Sequence, residues 1–388
     1  MANNVFNFCG RISLSKETDK FKPIERKEFA SSWMNTTVKF NVISDTNRVP
    51  VTTQGGKWKD DGRNVIKTFS KSTADTKGTM IDIPWAKRFD TDQIDKVAGF
   101  RKFTVDLGDV SMRYKLQDVV DGKRGIDEDM INAGITTTES AAEALKKSKE
   151  KKKEFLSEYD FAEYVAKLVT SDKYKDKLFY VSGNYEVQYN AEKDTFYKNY
   201  HVNRIVLAPD NAEQNTILKV DFLFNGNNFD NSRYEETGRA YIDGWVTYYD
   251  SNVKANGFAP ITVAIKETEK KISALKRKFE CEDDEIKQIG LTLSVIDGAE
   301  TIELTMDMLD DETRGDIEAG LLEWEKVKKE LGGRAVGDRI RELRFVELTA
   351  RKNVAQDTVY TVSDMHAARA KEEVIDIFAE DESDDDEL

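Results

Sequence analysis

The chain has 388 residues, enough for two or three domains of ordinary size. Charged residues make up 34% of it, yet aromatic residues make up 10%, too many for a chain that stays unfolded. No apolar run is long enough to span a membrane, and the N-terminal residues lack a basic and apolar leader, so we expect a cytosolic protein.

The formal net charge of −14 is unevenly distributed along the chain. Residues 11–89 carry 16 lysines and arginines against 9 aspartates and glutamates, a local net charge of +7. After Lys371 the chain has ten acidic residues and no basic one. This asymmetry predicts a surface that binds a polyanion and an acidic tail that interacts with other molecules.

The first 110 residues or so have the pattern of β structure. Residues 5–12 alternate between apolar and polar, with Gly10 at the position of a bend. Residues 34–44 alternate again, with Val38, Phe40 and Val42 on one face, which we assign to the core. Further strands are predicted at 48–53, 64–70, 80–85 and 102–107.

Residues 120–153 are predicted to be a joint that ends in a run of six lysines between Lys146 and Lys153. Such a run is either a solvated linker or an arm that contacts phosphates. Beyond it, helices are predicted at 153–169, 267–279 and 311–331. Strands are predicted at 178–189, 196–207, 217–224, 238–250, 258–266, 290–296, 302–306 and 339–349.

One short pattern occurs three times, with a glycine between apolar neighbours. Its copies centre on Gly10, Gly183 and Gly244. A glycine within a strand permits the sharp bend that a small closed barrel requires, so the repeat favours more than one barrel.

Basic and aromatic residues are interleaved in the N-terminal region, as in proteins that bind single strands, where cations follow the phosphates and rings stack on bases. Trp58, between two lysines in a turn-rich segment, is the ring we most expect at the surface. Trp245, Tyr248 and Tyr249 are open between core and contact. The candidate nucleic-acid-binding residues are Arg26, Lys27, Trp33, Lys39, Arg48, Lys57, Trp58, Lys59, Arg63, Lys67, Phe69, Lys71, Tyr185, Tyr189, Tyr197 and Arg204.

Signatures of enzymes and metal sites are missing from the sequence. Cys9, Cys281, His201 and His366 have no metal-ligand spacing, and no phosphate-binding loop or catalytic serine motif occurs in a suitable context. We therefore expect no enzymatic activity, no disulfide, and no metal or other cofactor.

The acidic C-terminus is the most specific feature of the sequence. Carboxylates without a compensating cation do not pack into a core, so we expect a disordered tail that competes for the basic surface and recruits protein partners. The candidate partner-binding residues of this tail are Phe378, Asp381, Glu382, Asp384, Asp385, Asp386, Glu387 and Leu388.

Strands with internal glycines, basic-aromatic loops and an acidic C-terminus together resemble the single-stranded DNA-binding proteins of replication systems, especially phage-encoded ones. Bacterial relatives end in an aromatic residue after a run of aspartates, whereas this chain ends in Glu387-Leu388. The resemblance implies OB-type barrels that coat single-stranded DNA during replication or recombination, in the host cytoplasm if the chain is phage-encoded.

The expected fold is mainly β with accessory helices, with two or three OB-like barrels and a disordered acidic tail. Two alternatives stay open: a virion or chaperone-like interaction protein that binds no nucleic acid, and a magnesium-dependent enzyme of nucleic-acid metabolism. The predicted modules are a basic, aromatic domain at 1–118, a charged linker at 119–153, a second β module at 154–236, a third module at 237–363 and the helix or coil with the tail at 364–388.

Overall fold

The computed structural model describes residues 4–45, 47–74, 76–226, 228–250, 254–282, 285–301, 305–306, 309–331, 336–349 and 358–361. Across these residues the chain is mainly β with accessory helices, which confirms the expected fold class. The predicted tail, with all its candidate partner-binding residues, lies outside the described residues. None of the helices in the described part of the chain is long and apolar enough to span a membrane.

The strands are β1 (Val5–Ser13), β2 (Ile24–Glu28), β3 (Trp33–Ser44), β4 (Asn47–Trp58), β5 (Val65–Phe69), β6 (Met80–Pro84), β7 (Phe103–Asp106), β8 (Lys152–Phe155), β9 (Leu178–Asn190), β10 (Thr195–Leu207), β11 (Asn215–Phe224), β12 (Phe229–Asp230), β13 (Ala240–Asp250), β14 (Ala255–Ile265), β15 (Glu285–Thr301), β16 (Val336–Leu348) and β17 (Thr358–Thr361). The helices are α1 (Thr91–Lys96), α2 (Val110–Val120), α3 (Glu128–Asn132), α4 (Thr138–Glu150), α5 (Glu158–Val169), α6 (Tyr234–Thr237), α7 (Glu269–Lys276), α8 (Asp311–Glu318) and α9 (Trp324–Leu331).

Five strands close into a first barrel in the order β1, β3, β4, β10, β9 and back to β1. All pairs are antiparallel except β4 with β10, which is parallel. Helix α5 packs against β3 and β4 and lies between the third and fourth strands of the barrel in chain order. A closed five-stranded barrel with this connectivity has the topology of an OB-fold.

A second barrel repeats this arrangement with β11, β13, β14, β16 and β15. Its one parallel pair is β14 with β16, and α7 lies between its third and fourth strands, as α5 does in the first barrel. The two barrels are joined by the pairing of β1 with β11 and by a contact between Asn47 and Gly298. One hydrophobic core runs through both, from Phe6 to Phe345.

The strand pairing groups the chain differently from the predicted modules. The first barrel takes β1, β3 and β4 from the segment 1–118 and β9 and β10 from the segment 154–236. Residues between β4 and α5 form an insertion that the closed barrel holds at both ends. Whether any predicted module folds alone stays a prediction.

The predicted joint at 120–153 contains two helices, and with α2 they form a small core of their own. Leu116, Met130 and Leu145 are buried there, and the side chains of Thr137 and Ser140 form a capping box at the start of α4. The alanines and leucine of α4 recur at helical spacing among its lysines. This spacing indicates a helix with one buried face, although the lysine run suggested a linker.

The three repeated glycines lie within strands, as predicted. A Cβ atom at Gly10 would lie 2.3 Å from the carbonyl oxygen of Ile43, and one at Gly183 would lie 1.9 Å from that of His201. At Gly244 the same atom would lie 2.3 Å from the carbonyl oxygen of Leu223. Each glycine therefore permits an adjacent strand to approach more closely than any side chain would allow.

The helix predicted over 311–331 is two helices, α8 and α9. Gly320 lies between them with a φ of +73°, a left-handed conformation that glycine adopts easily and that ends a helix. The helical spacing of apolar residues continues on both sides of Gly320, so this spacing alone does not indicate the break.

Candidate nucleic-acid interface

The outer surface of the β3–β4 hairpin has a distinctive composition. Side chains alternate along both strands, and Val38, Phe40 and Val51 point into the barrel. None of the twelve residues on the opposite face is acidic. These residues, which we call the β3–β4 outer face, are Trp33, Asn35, Thr37, Lys39, Asn41 and Ile43 on β3 and Arg48, Pro50, Thr52, Gln54, Gly56 and Trp58 on β4. Asn41 is the one buried member, because its side chain donates to Ser13 and Ser15 in the segment that ends and follows β1.

Two tryptophans lie at one end of this face. Trp33 and Trp58 are directly opposite in the register, with ring centroids 5.2 Å apart and planes nearly perpendicular. Gly56 leaves room for them, because a Cβ atom there would lie 2.2 Å from the Trp33 ring. The Arg63 guanidinium stacks 3.9 Å from the Trp58 ring centroid. Both rings are half-buried, so part of each remains open to solvent.

Exposed cations continue along the same face. The Lys39 ammonium lies 5.9 Å from the ring of Phe21 in the loop after β1. Arg48 and Arg11 flank Ile43 across three neighbouring strands. Within the described residues, no carboxylate pairs with Lys39, Arg48 or Arg11. The sequence analysis missed Arg11, although its polar position between buried Gly10 and Ile12 was a signal for the outer face.

Four other predicted cations have carboxylate partners. Arg26 donates to Glu163 on α5, and this contact holds the pKa of Glu163 below its usual value. Lys57 points to the opposite side of the hairpin, where its ammonium lies near the rings of Trp85 and Tyr159. The N–O distances are 2.8 Å for Arg26–Glu163, 3.0 Å for Lys27–Glu25, 2.9 Å for Lys57–Asp61 and 2.8 Å for Lys59–Glu28.

The predicted contact at Tyr185 is wrong. Its side chain is 5% exposed and packs in the core beside Tyr200, and burial raises the pKa of its hydroxyl. Tyr185 and Tyr189 alternate on one face of β9, and that face is the inward one. Tyr189 is half-buried and donates a hydrogen bond to Asp194. Tyr197 is outward and about half exposed.

The remaining predicted residues lie away from the β3–β4 outer face. Arg204 is exposed on β10, in a cleft of about 1130 Å³ between the first barrel and α2. Lys67, Phe69 and Lys71 lie on or just after β5, in a separate hairpin within the insertion.

The second barrel presents aromatic residues at the equivalent place. In β13 and β14 the outward side chains include Tyr241, Trp245, Tyr249 and Phe258, whereas Tyr248 is inward and buried. This settles the open assignments: Trp245 and Tyr249 lie on the outer face, and Tyr248 belongs to the core. Tyr241 and Phe258 were missed, although 241, 245 and 249 alternate with buried positions.

A cleft of about 500 Å³ lies between the two barrels, beginning at Pro50 of the outer face. Lys198 extends into it and donates to the carbonyl oxygen of Pro260 at 2.8 Å, and burial lowers the pKa of this ammonium. Arg341 and Asp297 form an ion pair on the other wall. The outer face of the first barrel is thus continuous with a polar cleft that borders the second.

Comparison with known proteins gives few matches. No family model matches the sequence, and no curated protein matches it. Among solved structures, the chain is similar to a deletion mutant of the single-stranded DNA binding protein from Thermus aquaticus. That similarity covers 76% of this chain and 87% of the other, at 8% sequence identity and a TM-score of 0.29.

Proposed function

We propose that this protein binds single-stranded DNA along the β3–β4 outer face. The observation that supports the proposal most is the composition of this face, which has no acidic residue, unpaired cations at Lys39 and Arg48, and paired indoles at Trp33 and Trp58. Cations follow the phosphates of a single strand, and rings stack on bases of any sequence, each stack contributing about 1–3 kcal/mol. The equivalent strands of other OB-folds bind oligonucleotides.

The dimensions of the face suit a short stretch of single strand. From Trp58 to Arg48 the strand rises about 33 Å at about 3.3 Å per residue. OB-folds hold roughly 4–16 nucleotides each, so one face of this length accommodates a binding site at the lower end of that range. The aromatic outer face of the second barrel would extend the site.

The test is fluorescence polarisation with labelled oligo-dT, duplex DNA and RNA over a range of salt concentrations. We expect single strands to bind most tightly, because duplex bases cannot stack on protein rings. Each neutralised phosphate contributes about −0.7 to the slope of log affinity against log salt, so Lys39, Arg48 and the neighbouring Arg11 together predict a slope near −2. Equal affinity for duplex, or affinity independent of salt, would contradict the proposal.

Replacing Trp58 with alanine should weaken single-strand binding by about 1–3 kcal/mol. Loss of its edge contact with Trp33 should also lower the free energy of unfolding by about 1 kcal/mol. Polarisation and chemical denaturation measure the two effects separately. The control is Tyr114→Ala, which removes an aromatic ring that is 73% exposed on α2 and should change neither. Unchanged binding by the Trp58 variant would show that this ring does not contact DNA.

We further propose that the protein coats single-stranded DNA during replication or recombination and acts as a binding protein without turnover. Labelled DNA incubated with the protein and magnesium should be recovered unchanged in length and composition. Cleavage, extension or ligation under these conditions would favour the enzymatic alternative.

The acidic tail, by its sequence, is proposed to compete with DNA and to recruit partner proteins. A tethered segment reaches an effective concentration of about millimolar, enough to occupy a cationic surface. Deleting residues 372–388 should therefore tighten DNA binding at low salt. The difference should vanish once the Debye length falls below ~8 Å, because the competition is electrostatic. Identical DNA affinities of the full chain and the deletion variant at low salt would leave recruitment as the only role of the tail. A pull-down of replication proteins with each of the two proteins measures that recruitment.

A further inference from the structure

The β5–β6 hairpin in the insertion carries apolar side chains on its exposed face. Its inner face, with Ile66, Ile81 and Ile83, packs against Val97 and Leu156 and forms a small core. On the other face, alternation directs Val65, Phe69 and Met80 outward, together with the oppositely charged cross-strand pair Lys67 and Asp82. Val65 is 51% exposed and Met80 64%, whereas Phe69 is partly buried.

A second segment brings more rings and cations to this face. The amide of Ala98 donates to the carbonyl of Phe69 at 2.9 Å, and the amide of Lys71 donates to that of Lys96 at 2.8 Å. These bonds place Phe100 and Arg101 next to Phe69. Phe100 is 79% exposed, the most exposed large apolar residue among the described ones.

Arg101 distinguishes this surface from an ordinary apolar patch. Its guanidinium lies 5.0 Å from the ring centroid of Phe69 and 5.4 Å from that of Phe100. Across the part of the chain that the structure describes, no carboxylate pairs with it. The arrangement therefore offers two rings and an uncompensated planar cation at one exposed place, a combination suited to bases and phosphates.

A nearby arginine provides the contrast. Arg88 also stacks on an exposed phenylalanine, with its guanidinium 4.3 Å from the ring centroid of Phe89. Asp160 neutralises Arg88 at 2.7 Å. Arg88 with Phe89 thus has the geometry of the Arg101 site without its free charge, and it serves as an internal control.

The hairpin directly follows the tryptophan end of the β3–β4 outer face. The side chain of Asn64 accepts from the amide of Trp58 and donates to its carbonyl, at 2.8 and 2.9 Å. This clamp holds the start of β5 beside Trp58, and Val65 follows immediately. Phe69, four residues further, lies about 13 Å along the strand.

We propose that Phe69, Phe100 and Arg101 form a second stacking site for single-stranded DNA, outside both barrels. The site would hold bases that leave the β3–β4 outer face at its tryptophan end, with Lys71 and Arg101 near their phosphates. This inference rests on the proposed function, but it concerns a different surface and is tested separately.

The experiment compares Phe100→Ala and Arg101→Ala with wild type and with the control Phe89→Ala, in the full-length chain, on oligo-dT of increasing length. All three side chains are exposed, so the variants should fold normally. We expect the two site variants to bind the shortest oligonucleotides like wild type and to lose roughly 5- to 150-fold affinity on longer ones. Phe89→Ala should match wild type at every length.

A photo-crosslink from bromodeoxyuridine gives a readout independent of affinity. Trypsin cuts after Lys96 and after Arg101, so a crosslink at Phe100 appears on the peptide 97–101 and one at Phe89 on a different peptide. Crosslinks to 97–101 that require a long oligonucleotide would support the second site.

Three results would overturn the inference while leaving the proposed function intact. These are wild-type binding by both site variants at all lengths, an equal loss in Phe89→Ala, or a DNA-free dimer that Phe100→Ala converts to a monomer. The last result would make the surface an interface between copies of the chain. Absence of any single-strand binding by the wild type would instead contradict the proposed function itself.

Discussion

Gly183→Ala should lower the free energy of unfolding by about 3 kcal/mol or more, because overpacking at a rigid contact is among the costliest single changes. The new methyl carbon would lie 1.9 Å from the carbonyl oxygen of His201 and 2.9 Å from its carbonyl carbon. These are backbone atoms of the paired strand β10, so the clash cannot be relieved by rotating a side chain. Relief requires separating β9 from β10, and both strands belong to the closed ring of the first barrel.

Chemical denaturation monitored by circular dichroism measures this loss. The matched control is Gly125→Ala, since a Cβ atom at Gly125 would have no heavy atom within 4 Å. The control should unfold close to wild type. Because one core runs through both barrels, we expect the Gly183 variant to lose stability in a single transition. Equal midpoints for the two variants would show that β9 and β10 can move apart at little cost.

The glycines illustrate how much of the fold could be predicted from sequence. Alternation around Gly10 and Gly183 located both strands within a residue or two, since the period of two is a local property. The closure of the barrel was not predictable in the same way. Pairing of β1 with β9 joins residues about 170 positions apart, across an insertion whose own helices resembled a linker.

The candidate site shows the same division between local and distant information. The alternation along β4 could have separated outward Arg48 from inward Lys57. Val49 and Val51 are buried, so every second residue from them, including Lys57, points inward. The partner of Arg26 could not be found in this way, as Glu163 lies on a helix far along the chain. Tyr185 failed for a related reason: alternation identifies a shared face, but not whether that face points inward.

Reversing two charges on the outer face should have the largest effect on binding. In the double variant Lys39→Glu, Arg48→Glu, two cations that we expect to contact phosphates become anions. A hydrogen bond to a charged group contributes about 1.5–3 kcal/mol, so loss of two predicts at least a hundredfold weaker binding at low salt. The slope of log affinity against log salt should become shallower by about 1.4, because each phosphate contact contributes about 0.7.

The control is the double variant Lys146→Glu, Lys153→Glu, which makes the same change in net charge. These two lysines belong to the run in and after α4. Both are exposed and belong to the insertion rather than to the β3–β4 outer face. If binding depends on local contacts, this control loses little affinity and keeps the wild-type salt slope. If it weakens binding as much as the first variant does, the lysine run is a phosphate-contacting arm, or the overall field of the protein attracts DNA. Exposed positions without ion pairs contribute little to folding, so both variants should unfold within about 1 kcal/mol of wild type. A much larger loss of affinity in the outer-face variant than in the control therefore locates these phosphate contacts on the first barrel rather than on the lysine run.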